Sequence, residues 1–291
     1  MIDLYTVTNN VFAPCVFNLI ESYKLNSCNQ KIYVIYFDLD EKYINLFKSK
    51  YDRQIELVKV EEECDHAYNP RFYFPKAYAL KVAFHNKKTF MLCDASNAFV
   101  SKTYELEYLL EKNTRFFVEY PEEIFKNKYW ATEKSLKLMN CNKNSFKEAQ
   151  SYWSGFHAYI PTEENLEMIH EQYVHMLNAE IAGPSNLLKH PEGLNSNCIA
   201  HRNDQTVLSI MIEKYNFNQK FDINKYSRYG DLQTAQVMLP DLYSQINKNL
   251  ICLYSRHSKF NDFSFISKNL LNEINSIKNI YNIDRNTGKI I

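Results

Sequence analysis

The sequence predicts an α/β fold with a mostly parallel central sheet flanked by helices, and three observations carry that expectation. Short apolar runs at residues 2–7, 32–37 and 55–60 alternate with segments of helical period, the signature of βαβ units with right-handed crossovers. The run at 32–37, IYVIYF, has no polar interruption, as a strand buried on both faces requires. A fourth apolar run within 88–100, KTFMLCDASNAFV, stops abruptly at Asp94, Ser96 and Asn97. Those polar groups fall just beyond a strand's carboxyl end, where open α/β sheets hold their ligands.

Length and composition narrow the possibilities. A chain of 291 residues, 45% hydrophobic and 23% charged, is globular and long enough for a sizeable core. One domain over residues 1–260 is expected, with 261–291 a helical extension of it. The 34 Lys plus Arg balance the 34 Asp plus Glu, so the general attraction on which a nucleic-acid binder relies is missing. Only 5 glycines argue against a glycine-rich phosphate loop. The 7 cysteines are scattered and form no Cys-x-x-Cys pair, which suits reduced thiols. Neither a leader pattern at the start nor a membrane-length apolar window is visible, so the expectation is a cytoplasmic protein without a transmembrane segment.

In order, the strand at 2–7 is followed by a polar turn, Asn9-Asn10, and a helix whose Val11, Val16, Leu19, Ile20 and Tyr23 share one face. The strand at 32–37 leads through Asp38-Leu39-Asp40 into a helix ending near Tyr51, and 55–60 supplies the next strand. Pro75 opens a helix over 76–85 ahead of the run at 88–100. A helix over 104–110, a strand over 115–119 and a polar, helix-prone stretch to residue 150 come next. Residues 151–161, SYWSGFHAYIP, read as a turn into an apolar strand, and Thr162, Glu163 and Glu164 start a helix to about residue 178. Gly183-Pro184 and Pro191-Glu192-Gly193 mark a loop beside the site. An amphipathic helix follows over 201–215, then a strand over 250–254 ending at Arg256-His257, and a last helix over 264–281.

Several constellations have both a chemical and an ordinary structural reading. Asp94, Ser96 and Asn97 suit a hard divalent cation shared with substrate phosphates, or equally a turn cap. Thr8 and Asn9 suit recognition of base and ribose, although helix capping explains them as well. Lys81 and Arg71 could balance diphosphate charge or simply extend along the surface. Gly155 permits close approach to a ligand beside the aromatic Trp153 and Phe156, or belongs to a buried turn. The polar run His201-Arg202-Asn203-Asp204-Gln205 opens an apolar helix, either towards a ligand at its N–H donors or as a solvated cap.

Four segments together resemble nucleotide-sugar glycosyltransferases of the GT-A (Rossmann-like) fold. Leu92-Cys93-Asp94-Ala95-Ser96 with Phe99 is similar to a subgroup with Asp-x-Ser in place of the Asp-x-Asp metal motif, and Tyr78-Ala79-Leu80-Lys81 to its Tyr-x-x-Lys. Ser154-Gly155-Phe156 resembles the Ala-Gly-Phe turn that contacts the donor sugar. His201-Arg202-Asn203-Asp204-Gln205-Thr206 resembles a His-Arg-x-Asp-Gln-Ser segment. The resemblance spans roughly residues 2–215 and implies transfer of a sugar from a UDP- or GDP-linked donor to a hydroxyl of a glycan or glycoprotein. It implies catalytic roles for Asp204 and His201 and donor contacts from Thr8, Asn9, Arg71, Lys81, Asp94, Ser96, Asn97, Gly155 and Gln205. It also implies a divalent cation, Mn²⁺ or Mg²⁺, held by Asp94, with His257 as a further ligand. The missing second carboxylate keeps open a non-catalytic nucleotide- or carbohydrate-binding module of the same fold. A metal-dependent phosphohydrolase would need more clustered His and carboxylate ligands than the sequence offers.

Overall fold

The computed structural model describes residues 2–27, 30–99, 103–183, 198–217, 221–222, 227–229, 252–254 and 267–278. Within them the chain runs β1 (Asp3–Thr8), α1 (Ala13–Asn26), β2 (Ile32–Tyr36), α2 (Glu41–Tyr51), β3 (Ile55–Lys59), α3 (Phe74–Asn86), β4 (Phe90–Cys93), β5 (Asn97–Phe99), α4 (Tyr104–Asn113) and β6 (Arg115–Glu119). Three short helices follow, α5 (Asn127–Trp130), α6 (Glu133–Leu138) and α7 (Asn144–Glu148). The rest is β7 (Tyr152–Tyr159), α8 (Glu163–Met176), α9 (Ala179–Ala182), α10 (Asn203–Lys214), β8 (Phe221–Asp222), β9 (Ser227–Tyr229), β10 (Cys252–Tyr254) and α11 (Lys268–Lys278).

The main sheet has the order β3-β2-β1-β4-β7-β6-β8. Strands β3, β2, β1 and β4 are parallel, β7 lies antiparallel between β4 and β6, and β8 is parallel to β6. The pleat sends alternate residues to opposite layers. Leu4, Met91 and Phe116 join one cluster with side chains of α1, α2, α4 and α11, whereas Tyr5, Leu92 and Phe117 join another with α3, α8 and α10. Burial on both faces explains why these strands read as continuous apolar runs. Asp40 and Thr162 cap α2 and α8 through backbone N–H groups, as short polar side chains at those positions should.

Two departures from the sequence reading matter for the site. The run at 88–100 is split: after β4 the Asn97 N–H bonds the Asp94 carbonyl at 3.0 Å, and β5 leaves the main sheet to pair antiparallel with β10. The segment 151–161 holds no turn: β7 stays extended and buried through Ser154 and Gly155, where its register against β6 shifts between Phe117 and Glu119. No helix among the described residues is long and apolar enough to cross a membrane.

Candidate active site

A cavity of about 180 Å³ opens at the carboxyl ends of β1 and β4. Thr8, Asn9, Asp94 and Ser96 give it polar walls, and Phe12, Phe37 and Tyr73 give it aromatic ones. The Asn9 carboxamide accepts from the N–H groups of Val11 and Phe12 at 3.0 and 3.1 Å, and the Asn10 carboxamide accepts from Asp40 at 2.7 Å. The β1 loop is thereby locked to the β2 loop. The Asn9 carboxamide thus holds the turn that precedes α1 and does not cap the helix itself, whose N-cap position is Phe12, and the same residue lines the cavity.

A second cavity, about 150 Å³, adjoins the first. It lies between β7, through Trp153, Ser154 and Gly155, and the amino end of α10, through His201 to Gln205. Tyr73, Lys76 and Asp94 line both cavities, so they form the partition where the two meet.

Lys76 is the centre of that partition. Its Nζ lies 2.6 Å from Asp94 Oδ1 and 3.0 Å from Asp204 Oδ2, and it reaches the Ser154 carbonyl at 3.5 Å. Burial opposes its charge, but the Asp204 and Asp94 carboxylates outweigh burial and raise its pKa above the ordinary lysine value. The resemblance assigns a donor-contacting lysine to Lys81. The structure puts Lys81 against Glu63 at 2.5 Å, with its ammonium near the rings of Tyr78 and Tyr173, and it lines neither cavity. One signal for Lys76 was available: it stands in the first turn of α3, where the helix dipole disfavours a cation unless carboxylates hold it there.

The backbone around the partition is strained and held. Tyr73 and Asn203 both have positive φ, 55° and 45°. The Asn203 carboxamide donates to the carbonyls of Arg71 and Ala182, each at 2.7 Å, which ties α10 to the start of α3 and to α9. Arg202 lies over the Trp130 ring at 3.7 Å, and the Thr206 hydroxyl donates to the Trp130 carbonyl at 2.7 Å, so α5 fixes the same helix end.

The other expected site residues divide between the cavities and the framework. Thr8, Asn9, Asp94 and Ser96 line the first cavity, and Gly155, His201, Asp204 and Gln205 line the second. The Gln205 Nε2 is buried with no hydrogen-bond acceptor among the described residues. Arg71 is exposed and contributes its carbonyl, not a cavity wall. Asn97 is a brace, donating to the Gly155 carbonyl at 2.8 Å and lying outside both cavities. His257 lies outside the described residues.

His201 is buried, and its Nε2–H donates to the Ile181 carbonyl at 2.6 Å. Burial pushes it down to about 4, against the opposing pull of that bond. His157 in the core is pushed down to about 3, by burial first and then by the Lys76 charge. An unfolded histidine takes up a proton near pH 6.5, so below that pH the unfolded chain binds more protons than the folded one and stability falls. We expect the unfolding free energy to drop between pH 6.5 and 4, by about 1.4 kcal/mol per pH unit for each such histidine. In urea titrations at pH 7, 6 and 5, His201→Gln should show a shallower drop than the parent. An unchanged slope would mean that folded His201 titrates like an exposed one.

The cation implied by the resemblance does not fit the described donor set. Asp94 is the carboxylate of the Asp-x-Ser segment, and the Lys76 ammonium already holds it. No group of three His, Cys, Asp or Glu side chains placed to hold a metal occurs among the described residues.

This sheet, with its cavities at the carboxyl edge of β1 and β4, has the GT-A fold of glycosyltransferases. Among solved structures the chain is similar to LgtC, a galactosyltransferase in complex with donor and acceptor sugar analogues, with a TM-score of 0.54, 10% identity, and coverage of 94% of this chain and 96% of that one. It is also similar to WbbM, a bifunctional glycosyltransferase, with a TM-score of 0.52, 11% identity, and coverage of 95% of this chain and 51% of that one. No family model and no curated protein matches the sequence.

Proposed function

We propose that the chain is a glycosyltransferase that moves a sugar from a UDP- or GDP-linked donor to a hydroxyl of a glycan or glycoprotein. The observation that carries this reading is the pair of cavities meeting at Lys76 and Asp94 on the sheet's carboxyl edge. The first, with its aromatic walls and the groups of Thr8 and Asn9, suits base and ribose. The second, between Gly155 and α10, suits the sugar, and the partition suits the diphosphate. In transfer, a bond forms from the acceptor oxygen to the anomeric carbon as the bond to the diphosphate breaks. In an inverting reaction the acceptor proton passes to the Asp204 carboxylate, whose Oδ2 Lys76 orients; in a retaining one Asp204 lies beneath the anomeric carbon.

Thermal-shift measurements with UDP, GDP and their sugars test the donor site. We expect one nucleotide class at millimolar concentration to raise the melting temperature, since a ligand that binds only the folded state stabilises it. If none does, the donor-site assignment is wrong. A non-catalytic module, favoured by Ser96 in place of a second carboxylate, would bind nucleotide yet neither transfer nor hydrolyse the donor.

A further inference from the structure

The ammonium of Lys76 lies between two carboxylates, those of Asp94 and Asp204. An ammonium has three N–H donors and no acceptor, and here all three are aimed at oxygens: Asp94 Oδ1, Asp204 Oδ2 and the Ser154 carbonyl. Asp94 and Asp204 come from different elements, the end of β4 and the first turn of α10, and the ammonium is what they share. Without it, two carboxylates would face one point in a half-buried cleft, an arrangement that either binds a cation or forces one group to take a proton. With it, the cluster carries one net negative charge, and an approaching divalent ion meets a positive charge already in place.

We infer that Lys76 is the resident cation of this site, occupying Asp94 so that neither the free protein nor its nucleotide complex uses Asp94 as a divalent-metal ligand. The nucleotide half of this inference rests on the donor-site reading above; the metal half does not. Lys76 acts as a positioning residue: it holds Asp204 towards the second cavity and presents its charge at the partition. The inference also accounts for Ser96, because a lysine-held Asp94 has no need of a second carboxylate beside it.

Two measurements on the full chain decide the matter. In the first, free Mn²⁺ is followed by its paramagnetic resonance signal during titration into wild type, Lys76→Met and Lys76→Arg without nucleotide. We expect Lys76→Met, which removes the ammonium that both carboxylates share, to bind Mn²⁺ at least about tenfold more tightly than wild type, and Lys76→Arg to behave as wild type. Wild type binding Mn²⁺ as tightly as Lys76→Met would overturn the inference. In the second, UDP and GDP are titrated into wild type by calorimetry with a chelator and again with Mn²⁺. Affinity differing by less than about tenfold supports the inference, and a larger gain with Mn²⁺ overturns it. If neither nucleotide binds in either condition, the donor-site reading fails and the Mn²⁺ titration alone judges the lysine. If Lys76→Met does not fold, the comparison with and without chelator judges it.

Discussion

Replacing Asp204 with Asn is expected to lower sugar transfer by about two orders of magnitude or more, the usual scale for losing a positioned general base. The fold should survive the change. Lys76 keeps Asp94 at 2.6 Å, so the cluster passes from two carboxylates and one ammonium to a neutral pair, and no buried charge is left without a partner. Asn also retains the shape of Asp at the start of α10. Initial rates with a donor and acceptor, measured beside melting temperature and nucleotide affinity, separate the possibilities. Near-normal transfer would reduce Asp204 to a helix-terminal residue. Loss of folding as well would make it structural, and Gln205, whose buried Nε2 has no acceptor among the described residues, would be the next residue to replace.

Gly155→Ala is expected to damage both stability and the donor site. A methyl group at Gly155 would lie 2.3 Å from Nε1 and 2.6 Å from Cε2 of Trp153, whose indole is 3% exposed and has little room to move. Overpacking of this kind costs about 1–3 kcal/mol. Relief by shifting β7 would carry the site with it, because the Gly155 carbonyl accepts from the Asp94 N–H at 2.9 Å and from Asn97 at 2.8 Å. We therefore expect nucleotide affinity to fall by about tenfold along with the unfolding free energy. In a Trp153→Leu background the same glycine substitution should cost much less, since the clashing ring is gone. If Gly155→Ala alone keeps both stability and affinity, the contact between indole and glycine does not hold Asp94 in place.

Much of the frame was legible in the sequence because its signals are local. Apolar runs announced β2 and β4, since strands buried on both faces are apolar throughout, and β1 kept the pattern apart from Asp3, Thr6 and Thr8. Asp40 and Thr162 stand at the starts of α2 and α8 and cap them, as short polar side chains ahead of a helical pattern do. Asp94 and Asp204 stood out as polar groups interrupting apolar patterns. The reading of residues 151–161 as a turn failed because Ser154 and Gly155 look like punctuation in one dimension. In the structure they lie within β7, where its register against β6 shifts between Phe117 and Glu119, with Trp153 filling the space that a side chain at Gly155 would take.

What the sequence by itself determined is the alternation of elements, the layered α/β class and the polar groups at strand and helix ends, all products of short-range periodicity and capping. Only the tertiary structure decided which cation serves those groups. Lys76 and Lys81 lie on one helix, and although Lys76 stands in its first turn, that position does not say which carboxylates hold it. Lys81 finds Glu63, 18 residues away along the chain, whereas Lys76 finds Asp204, 128 residues away, and Asp94 across the end of β4. Ion pairing depends on distance in space and on the exclusion of water, and both are set by the packing of α3 and α10 over the sheet.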